Sequence, residues 1–389
     1  MRRFQNQLTF VLITFISTLC SLNATSQEAI KRTELFSAGY SNITEFRIPS
    51  LLSTPKGTLI ALVDARIDRR GDIPNNVDLA IRRSKDEGKT WGDVQIIADY
   101  GKPEGYEITW GAADAAMVYD KETSTLWCLH TLGQGVGIRQ AQPGFDGHTC
   151  QIHAINSKDE GATWSEPVDI TKQCKLPTMK FFGTAPGVGI QTKDGELVFC
   201  IYTTDKTTGG TMTPYLIISE DNGKSWKLSG TWGDRKTSVT ETQIVELPDG
   251  TWMVNSRNHY GKNRRLIATS KDKGKTWSEI RFDDNLECPT CMASLIAIPN
   301  PKKKNRKLLI FFNPESEKGR KNGTVKISED NGKTWKWSKN ITEGDFGYSC
   351  LTQLKNGNIG LFYEGGKSTL FFTKLSLEYL TNRNYKIKN

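Results

Sequence analysis

Side chains that bind anions and transfer protons stand at similar distances on either side of three glycine-containing turns. Arg47 and Arg66 flank Lys56-Gly57, Glu241 and Arg257 flank Asp249-Gly250, and Tyr348 and Glu364 flank Asn356-Gly357. Residues at matched distances from the turn of an antiparallel hairpin are cross-strand neighbours. We therefore expect each pair to lie together at the hairpin end that is distal to the turn. A guanidinium beside a carboxylate or a phenol can hold an anionic ligand and assist proton transfer.

These turns belong to a series of short segments in which a turn is followed by an apolar strand. The series reads "KGTLIALVDAR", "TSTLWCLHT", "DGELVFCIYT", "DGTWMVNSRN", "NRKLLIFFNP" and "NGNIGLFYEGG". Such segments, rich in β-branched and aromatic residues and bounded by turn residues, are typical of strands. Almost no long segment has the periodicity of a helix. The sequence therefore predicts an all-β protein.

A second repeated element, which we call the box, has the pattern S-x-D-x-G-x-(T/S)-W. Its copies are Ser84–Trp91, Ser157–Trp164, Ser219–Trp226, Ser270–Trp277 and Ser328–Trp335. Ser and Asp side chains can accept hydrogen bonds from nearby backbone N–H groups, Gly permits a positive φ, and Trp can bury a large apolar face. The boxes do not offer the ligands of an EF-hand loop, which run on to a Glu at the twelfth position. We therefore assign the box a structural role and expect no metal there.

The boxes recur at intervals of roughly 60 residues, a spacing that indicates a repeat architecture. Each repeat reads as strand, turn, strand, loop, strand, box and strand. We predict a six-bladed β-propeller of four-stranded antiparallel blades, because radial closure protects the sheet edges. A solenoid or a pair of sandwiches is the alternative. In the propeller, the loops "IDRRGDIPNN" and "PESEKGRKNG" emerge on the face that carries the polar hairpin ends, and the boxes lie on the opposite face.

The first residues of the chain have the pattern of an export signal. Residues 1–26 combine a basic start, the apolar stretch "LTFVLITFISTL" and small residues before Gln27. Lipid attachment at Cys20 is disfavoured because Leu19 is too large for the preceding position. The apolar run is too short to span a membrane. We expect a periplasmic or secreted protein without stable membrane insertion, in which residues 27–389 form a single propeller domain.

The charge pattern argues against a nucleic-acid partner. The formal net charge is +9, but the basic residues are dispersed, and the only dense run, Lys302–Lys307, is typical of a solvated turn.

After Cys20 an odd number of cysteines remains, so at least one thiol has no partner within the chain. Cys288-x-x-Cys291 lacks a second pair of ligands at zinc spacing. We expect a monomer with no metal and no organic cofactor.

With these motifs together, the chain resembles the exo-sialidases (neuraminidases) of bacterial, trypanosomal and animal type. The resemblance rests on "FRIPS" at Phe46–Ser50, on the five boxes and on "GTAPGVGIQTKDGELVF", "ETQIVELPDGTWMVNSRN" and "LFYEGG". It spans nearly all of residues 27–389. It implies a six-bladed propeller that removes terminal α-linked sialic acid from sialylated glycans.

The resemblance also implies a role for each arginine. Arg47, Arg257 and Arg320 correspond to the triad that binds the substrate carboxylate, and Arg66 to a further substrate-site arginine. Glu364 corresponds to the glutamate that steadies the first arginine. A planar guanidinium suits the triad because it meets a carboxylate with paired, charge-assisted hydrogen bonds.

The same resemblance implies a tyrosine nucleophile. Tyr348 corresponds to this nucleophile, Glu241 to its base partner and Asp72 to the general acid and base. Sialidases are known as glycosidases that use Tyr instead of a carboxylate nucleophile. A neutral phenol is not repelled by the carboxylate on the anomeric carbon. Two displacements would retain the configuration. Three other aspartates in or beside the loop of Asp72 are alternatives for the general acid and base: Asp64, Asp68 and Asp78.

Other functions remain open at this point. Transfer to another glycan, or within the same sugar to give an anhydro product, needs only a different group to attack the intermediate. A non-catalytic propeller that binds sialylated glycans is a further alternative, because a fold does not imply a function. Trp110 and Asp114 could line the pocket, but core packing explains Trp110 nearly as well, and neither is included in the predicted site.

Overall fold

A computed structural model describes residues 30–104, 109–366 and 368–385. The predicted export signal, residues 1–26, lies outside these ranges. The strands of the first half are β1 (Arg32–Ser37), β2 (Glu45–Ser53), β3 (Leu59–Arg66), β4 (Val77–Ser84), β5 (Gln95–Ala98), β6 (Gly111–Asp120), β7 (Thr125–Gly133), β8 (Cys150–Ser157), β9 (Val168–Asp169), β10 (Met179–Thr184), β11 (Gly187–Val188) and β12 (Ile190–Gln191). Those of the second half are β13 (Leu197–Asp205), β14 (Met212–Ser219), β15 (Lys227–Leu228), β16 (Val239–Glu246), β17 (Trp252–Asn258), β18 (Arg264–Ser270), β19 (Arg281–Glu287), β20 (Ser294–Pro299), β21 (Lys307–Pro314), β22 (Lys321–Ser328), β23 (Trp337–Gln353), β24 (Ile359–Gly365) and β25 (Thr369–Leu375).

Helices are rare in the described part of the chain. They are α1 (Thr171–Cys174), α2 (Leu377–Leu380) and two 3₁₀ turns, Tyr40–Asn42 and Lys206–Thr208. None of the helices in these ranges has the length and apolar character needed to cross a membrane. The prediction of an all-β protein is confirmed.

The strands form five sheets. Their orders are β2-β3-β4-β5, then β11-β6-β7-β8-β9, then β10-β13-β14-β15 with β12 beside β13, then β16-β17-β18-β19, and finally β1-β25-β24-β23-β22-β21-β20. In most sheets the strands follow one another in chain order. In the last sheet β1, near the start of the described chain, pairs antiparallel with β25 near its end. The two ends of the propeller region are therefore joined within one sheet.

The prediction that every unit has four antiparallel strands is only partly correct. The last sheet has seven strands, because the 17-residue strand β23 pairs first with β22 and then with β24. Two other sheets have five strands, and β11 pairs parallel with β6. Strand β10 ends shortly before Pro186, which has no N–H to donate to a ladder. The next residues pair with the neighbouring sheet instead.

Apolar layers fill the spaces between successive sheets. Leu59, Ala61 and Val63 of β3 pack with Phe362 and Phe372 from the seven-stranded sheet. Similar clusters join each of the next sheets in turn, from β3 and β7 through to β17 and β21. The core is therefore a series of sheet-to-sheet interfaces, which leaves one end of the strands free to carry polar residues.

Irregular pairing occurs at the same end of the inner strands in several units. The register shifts between Arg47 and Ser50, between Ala113 and Ala116, between Met179 and Phe182, between Val239 and Thr242, and between Phe346 and Ser349. An extra residue in one strand bends it and redirects its side chains. The residues within these shifts include Ile48, Asp114, Glu241 and Tyr348, all of which line one cavity.

The observed register differs from the predicted pairing in the first hairpin. In the last hairpin the paired residues on either side of the bulge place Tyr348 opposite Glu364, as matched distances from the turn predict. In the first hairpin Arg66 pairs with Glu45, and Arg47 lies opposite Asp64. The regular part of this hairpin is already one residue off the count from the turn, since Ser53 pairs with Leu59, and the irregularity after Arg47 shifts the register by one more.

Each box is closed by the same hydrogen bonds. In the last copy the Ser328 hydroxyl donates to Asp330 Oδ1 at 2.8 Å and accepts from the Gly332 N–H at 2.9 Å. Asp330 also accepts from the N–H and the hydroxyl of Thr334. The boxes follow β4, β8, β14, β18 and β22, at the strand ends opposite to the cavity. The prediction of two separate faces is therefore confirmed by the strand directions.

We expect Ser328→Ala to destabilise the protein without changing its active site. The Ser328 hydroxyl is fully buried and is the partner of two backbone N–H groups, from Asp330 and Gly332. Loss of such a buried partner costs about 1–3 kcal/mol. Urea unfolding would measure this change, with the exposed Ser338→Ala as the control. Equal stability of the two variants would show that the box does not stabilise the fold.

Candidate active site

Most of the predicted site residues meet in one cavity of about 300 Å³ on the face opposite to the boxes. The residues that line it are Arg47, Ile48, Asp72, Ile73, Asp114, Ile138, Phe181, Tyr202, Met212, Thr240, Glu241, Arg257, His259, Arg320 and Tyr348. Two predicted residues, Arg66 and Glu364, are not part of this lining. Each of them instead forms hydrogen bonds with a residue that lines the cavity: Arg66 with Asp72, and Glu364 with Arg47.

At the floor of the cavity the Tyr348 hydroxyl joins a carboxylate and a guanidinium. The hydroxyl donates a short hydrogen bond to Glu241 Oε1 and accepts one from Arg257 Nη1 at 2.8 Å. Arg257 Nη1 also donates to Glu241 Oε2 at 2.8 Å. Tyr348 and Glu241 are both buried. A base within hydrogen-bond reach of a hydroxyl is the arrangement required to activate a nucleophile.

The surroundings of Tyr348 keep its hydroxyl protonated until reaction. Burial raises the pKa of Tyr348 well above its ordinary value, and the negative charge of Glu241 raises it further. Arg47 and Arg320 place their guanidinium carbons 5.4 and 5.1 Å from the centre of the Tyr348 ring. Arg257 Nε is buried without a hydrogen-bond partner in the described residues. Three arginines thus surround one phenol and retain donors for an anion.

Glu364 fixes the first of these arginines. Its carboxylate accepts from Arg47 Nε at 2.6 Å and from Arg47 Nη2 at 2.9 Å. It also accepts from the backbone N–H groups of Ile48 and Tyr348, at 2.9 and 3.0 Å. Burial by itself raises the pKa of Glu364, but Arg47 and these N–H groups outweigh it and the pKa lies below its ordinary value. Glu364 therefore fixes the Arg47 guanidinium and the backbone at Tyr348 together.

Asp72 projects into the mouth of the cavity from the loop between β3 and β4. Its side chain is 84% exposed, and Oδ1 accepts from Arg66 Nη2 at 2.5 Å. Arg66 is itself buried and donates from Nη1 to Glu45 at 2.7 Å. The sequence predicts Arg66 as a substrate-binding residue; in the structure it is buried, lies outside the cavity lining and donates to the Asp72 carboxylate.

Of the four aspartates considered for the acid, only Asp72 lines the cavity. Asp68 is exposed in the same loop, whereas Asp64 and Asp78 are buried within strands β3 and β4. A further carboxylate, Asp114, also lines the cavity, although the predicted site does not include it. The sequence contains a clue to Asp114, because a charged residue interrupts the small apolar run "GAADAAMV".

Asp64, which is buried, and Asp114, which is partly buried, form an acidic pair. The Asp114 backbone, in a left-handed conformation with φ of 55°, donates its N–H to both oxygens of Asp64 at 3.1 and 3.3 Å. Burial raises the pKa of Asp64 to about 8, against the opposing charge of Arg66. Burial also raises the pKa of Asp114, and the charges of Asp64 and Asp72 add to this effect. Both carboxyl groups therefore stay protonated at a pH at which exposed carboxyl groups have already ionised.

This raised pKa predicts a pH dependence of stability. Between about pH 4 and pH 8 folded Asp64 keeps a proton that the unfolded chain releases, so stability falls as the pH rises through this window. The slope for one proton is at most about 1.4 kcal/mol per pH unit. We expect Asp64→Asn to lose less stability than the wild type between pH 5 and pH 7 in urea unfolding. Parallel pH profiles for the two proteins would contradict the raised pKa.

One side of the cavity is apolar, which the sequence analysis did not predict. The apolar side chains of this wall are Ile73, Ile138, Phe181 and Met212. They come from two loops, from β10 and from the start of β14, which are far apart in sequence. Isolated apolar residues inside polar loops, such as Ile73 in "RGDIPNN", were the available signal. Packing of distant loops around a cavity cannot be deduced from that signal alone.

Comparison with known proteins is consistent with this geometry. The family described as BNR repeat-like domain matches residues 57–361. A sialidase of Bacteroides fragilis is 36% identical over 355 residues, which cover 88% of this chain and 64% of that protein. A sialidase of Micromonospora viridifaciens is 33% identical over 342 residues, which cover 84% of this chain and 51% of that protein. The chain thus spans about half to two thirds of the length of these curated relatives.

Solved structures show the same similarity. The structure described as Hadza microbial sialidase Hz136 superposes with a TM-score of 0.83 at 33% identity. The match covers 90% of this chain and 69% of that one. Fold, sequence and the repeated boxes agree over most of the described residues. The chain belongs to the BNR repeat-like family and, within it, to the sialidases.

Proposed function

We propose that the protein is a retaining exo-sialidase that hydrolyses terminal α-linked sialic acid from sialylated glycans. The observation that carries this proposal is the Tyr348 hydroxyl held between Glu241 and Arg257 in a cavity that three arginines line. A pure binding site would have no need of a buried base on a buried phenol. The sialidase relatives support the same substrate class.

In this proposal Arg47, Arg257 and Arg320 bind the carboxylate of the sugar. Three cations at one end of the cavity favour a single anionic group, and the Glu364 carboxylate keeps Arg47 in place. The buried, unpartnered Nε of Arg257 supports this role. The apolar wall described above faces the remaining, less polar parts of the sugar. Binding of the carboxylate brings the anomeric carbon close to Tyr348.

The first displacement forms a covalent sialyl-tyrosine. The Tyr348 oxygen attacks the anomeric carbon while Glu241 accepts the phenolic proton. The bond to the leaving sugar breaks, and Asp72 donates a proton to the departing oxygen. A neutral phenol can approach an anomeric carbon that bears a carboxylate. An anionic nucleophile would be repelled on the same approach.

The second displacement releases the sugar. Asp72, now a carboxylate, accepts a proton from water as the water oxygen attacks the anomeric carbon. The bond to Tyr348 breaks, and the tyrosine oxygen recovers its proton from Glu241. Two inversions at one carbon give net retention, so α-sialic acid is the first product. No metal or organic cofactor takes part in these steps.

We further propose that residues 27–389 form one six-bladed catalytic propeller. The division of β23 between β22 and β24 supports six units, because it splits the seven-stranded sheet into two groups of four strands that share β23.

We also propose that residues 1–26 direct export to the periplasm or the medium, and that the protein is a monomer. Fractionation of cells that produce the full chain, followed by size-exclusion chromatography, tests these last two points.

An NMR time course with 3′- and 6′-sialyllactose tests the reaction. We expect α-sialic acid to accumulate before its β anomer. Early release of the β anomer would contradict retention. An anhydro sugar or a newly sialylated acceptor would keep the site but replace hydrolysis by transfer. Binding without cleavage would exclude the catalytic roles.

A further inference from the structure

The rim of the cavity carries a patch of positive charge outside the substrate-binding arginines. It is formed by three connections, residues 206–211, 229–238 and 259–263, which we call the cationic sector. Met212, Thr240 and His259, at the ends of these connections, line the cavity. The sector therefore borders the opening through which a glycan must leave the cavity.

Hydrogen bonds join the three connections into one surface. Met212 N–H donates to Ser238 Oγ at 3.2 Å, and His259 N–H donates to Ser238 O at 3.0 Å. The Tyr260 hydroxyl donates to Asp234 at 2.8 Å. The relative positions of the charged residues on the sector are thus fixed by the backbone.

Four exposed cations of the sector form no ion pair within the described residues. They are Lys206, Arg235, Lys236 and Lys262. The nearby carboxylates are occupied by other donors. Asp205 accepts from the N–H and hydroxyl of Thr207, and Asp234 from the N–H of Lys236 and from Tyr260. The sector keeps an excess of positive charge even when both aspartates are counted.

Three other segments at the rim lack this excess. The loop of residues 67–76 contains two acidic and two basic residues, and residues 342–347, within β23, contain Glu343 and Asp345 without a cation. In the connection of residues 315–320, Glu317 pairs with Arg264 and offsets part of the basic charge. The sector therefore carries more unpaired positive charge than these three segments.

We propose that the cationic sector binds a second anionic group on the sugar next to the terminal sialic acid. This inference rests on the proposed sialidase function and specifies its substrate class: glycans that are acidic beyond their terminal residue, such as oligosialic chains. Because the scissile bond lies at the cavity, the remainder of the glycan crosses the rim. An anionic remainder is attracted to the excess cations of the sector. Exposed charges act mainly on encounter and are screened by salt.

The test compares three substrates that differ in the sugar next to the terminal residue. They are α2,8-disialyllactose, 3′-sialyllactose with its neutral leaving group, and 3′-sialyllactose sulfated on galactose. The test variant combines Lys206→Gln, Arg235→Gln, Lys236→Gln and Lys262→Gln. At low salt we expect kcat/KM for the disialylated substrate to fall about tenfold, mainly through KM. For 3′-sialyllactose the change is expected to stay within about twofold.

A matched control removes the same number of charges from the box face. It combines Lys85→Gln, Lys89→Gln, Lys158→Gln and Lys333→Gln, all of which are exposed lysines. This control should leave all three substrates unchanged. In the wild type, added salt should reduce cleavage of the disialylated substrate more than that of 3′-sialyllactose.

Each outcome decides the proposal. A selective loss on both anionic substrates supports recognition of charge in general, and a selective loss on the disialylated one alone supports recognition of a second carboxylate. Equal losses on all three substrates, or no loss on any, overturn the inference while the sialidase function stands. Failure of the wild type to cleave any of the three would instead overturn the proposed function.

Discussion

Tyr348→Phe is expected to lower kcat/KM for 3′-sialyllactose by at least about a thousandfold. The substitution removes one oxygen, which in the structure donates to Glu241 and accepts from Arg257. Without this oxygen the covalent step has no nucleophile, and loss of such a group from an active site costs several kcal/mol of transition-state stabilisation. The ring remains to pack against Arg47 and Arg320. Purified variant and wild type would be compared by release of free sialic acid.

The matched control for this variant is Tyr202→Phe. Tyr202 also lines the cavity and is also buried, but no hydrogen bond of its hydroxyl occurs among the described residues. We expect this control to change kcat/KM by less than about tenfold. Binding of a sialylated glycan to Tyr348→Phe with nearly unchanged affinity would separate catalysis from folding. If both variants lost activity equally, Tyr348 would have no special role.

Asp72→Asn is expected to slow cleavage of poor leaving groups far more than cleavage of good ones. General acid catalysis contributes about 10²–10⁴-fold, and an amide cannot supply the proton. A lactose leaving group needs protonation, whereas an activated aryl leaving group departs without it. We therefore expect kcat/KM, which reports the first displacement, to fall about a thousandfold for 3′-sialyllactose and much less for an aryl sialoside. The kcat for the aryl sialoside should still fall, because Asp72 is also the base of the second displacement. The ratio of the two losses is the measurement, since a general loss of structure would reduce both rates equally.

Two other aspartates control for this assignment. Asp68→Asn changes an exposed carboxylate in the same loop that does not line the cavity, and it should leave both rates unchanged. Asp114→Asn changes the other cavity carboxylate, whose environment favours the protonated form. We expect Asp114→Asn to affect both substrates alike. A leaving-group dependence in Asp114→Asn, with none in Asp72→Asn, would move the acid role to Asp114.

The face that carries the site could be predicted because it depends on local signals. Turn residues set the direction of each hairpin, and the boxes mark the opposite ends of the third strands. These signals alone place Glu241, Arg257 and Tyr348 on one surface. Their meeting at hydrogen-bond distance depends on the sheet-to-sheet packing of distant strands, for which the family resemblance supplied the expectation.

The details that escaped prediction arise from irregular backbone. Arg66 pairs with Glu45 instead of Arg47, in part because of a bulge near Arg47, and no residue type in "FRIPS" signals that bulge. The acidic pair of Asp64 and Asp114 has a similar origin, because a bulge turns Asp114 into the cavity. Hairpin counting assumes regular pairing and fails at bulges. These are also the positions where the chemistry is concentrated.

The central claim is that sialic acid becomes covalently bound to Tyr348. It is tested most directly with 2,3-difluorosialic acid, whose fluorine beside the anomeric carbon slows breakdown of the intermediate. After brief reaction and acid quench, the protein would be digested and its peptides analysed by mass spectrometry. We predict that the sugar is attached to Tyr348 and that the Tyr348→Phe protein is unlabelled. Attachment to Glu241, Asp72 or any other residue, or active turnover of the reagent without a labelled peptide, would contradict the proposed mechanism.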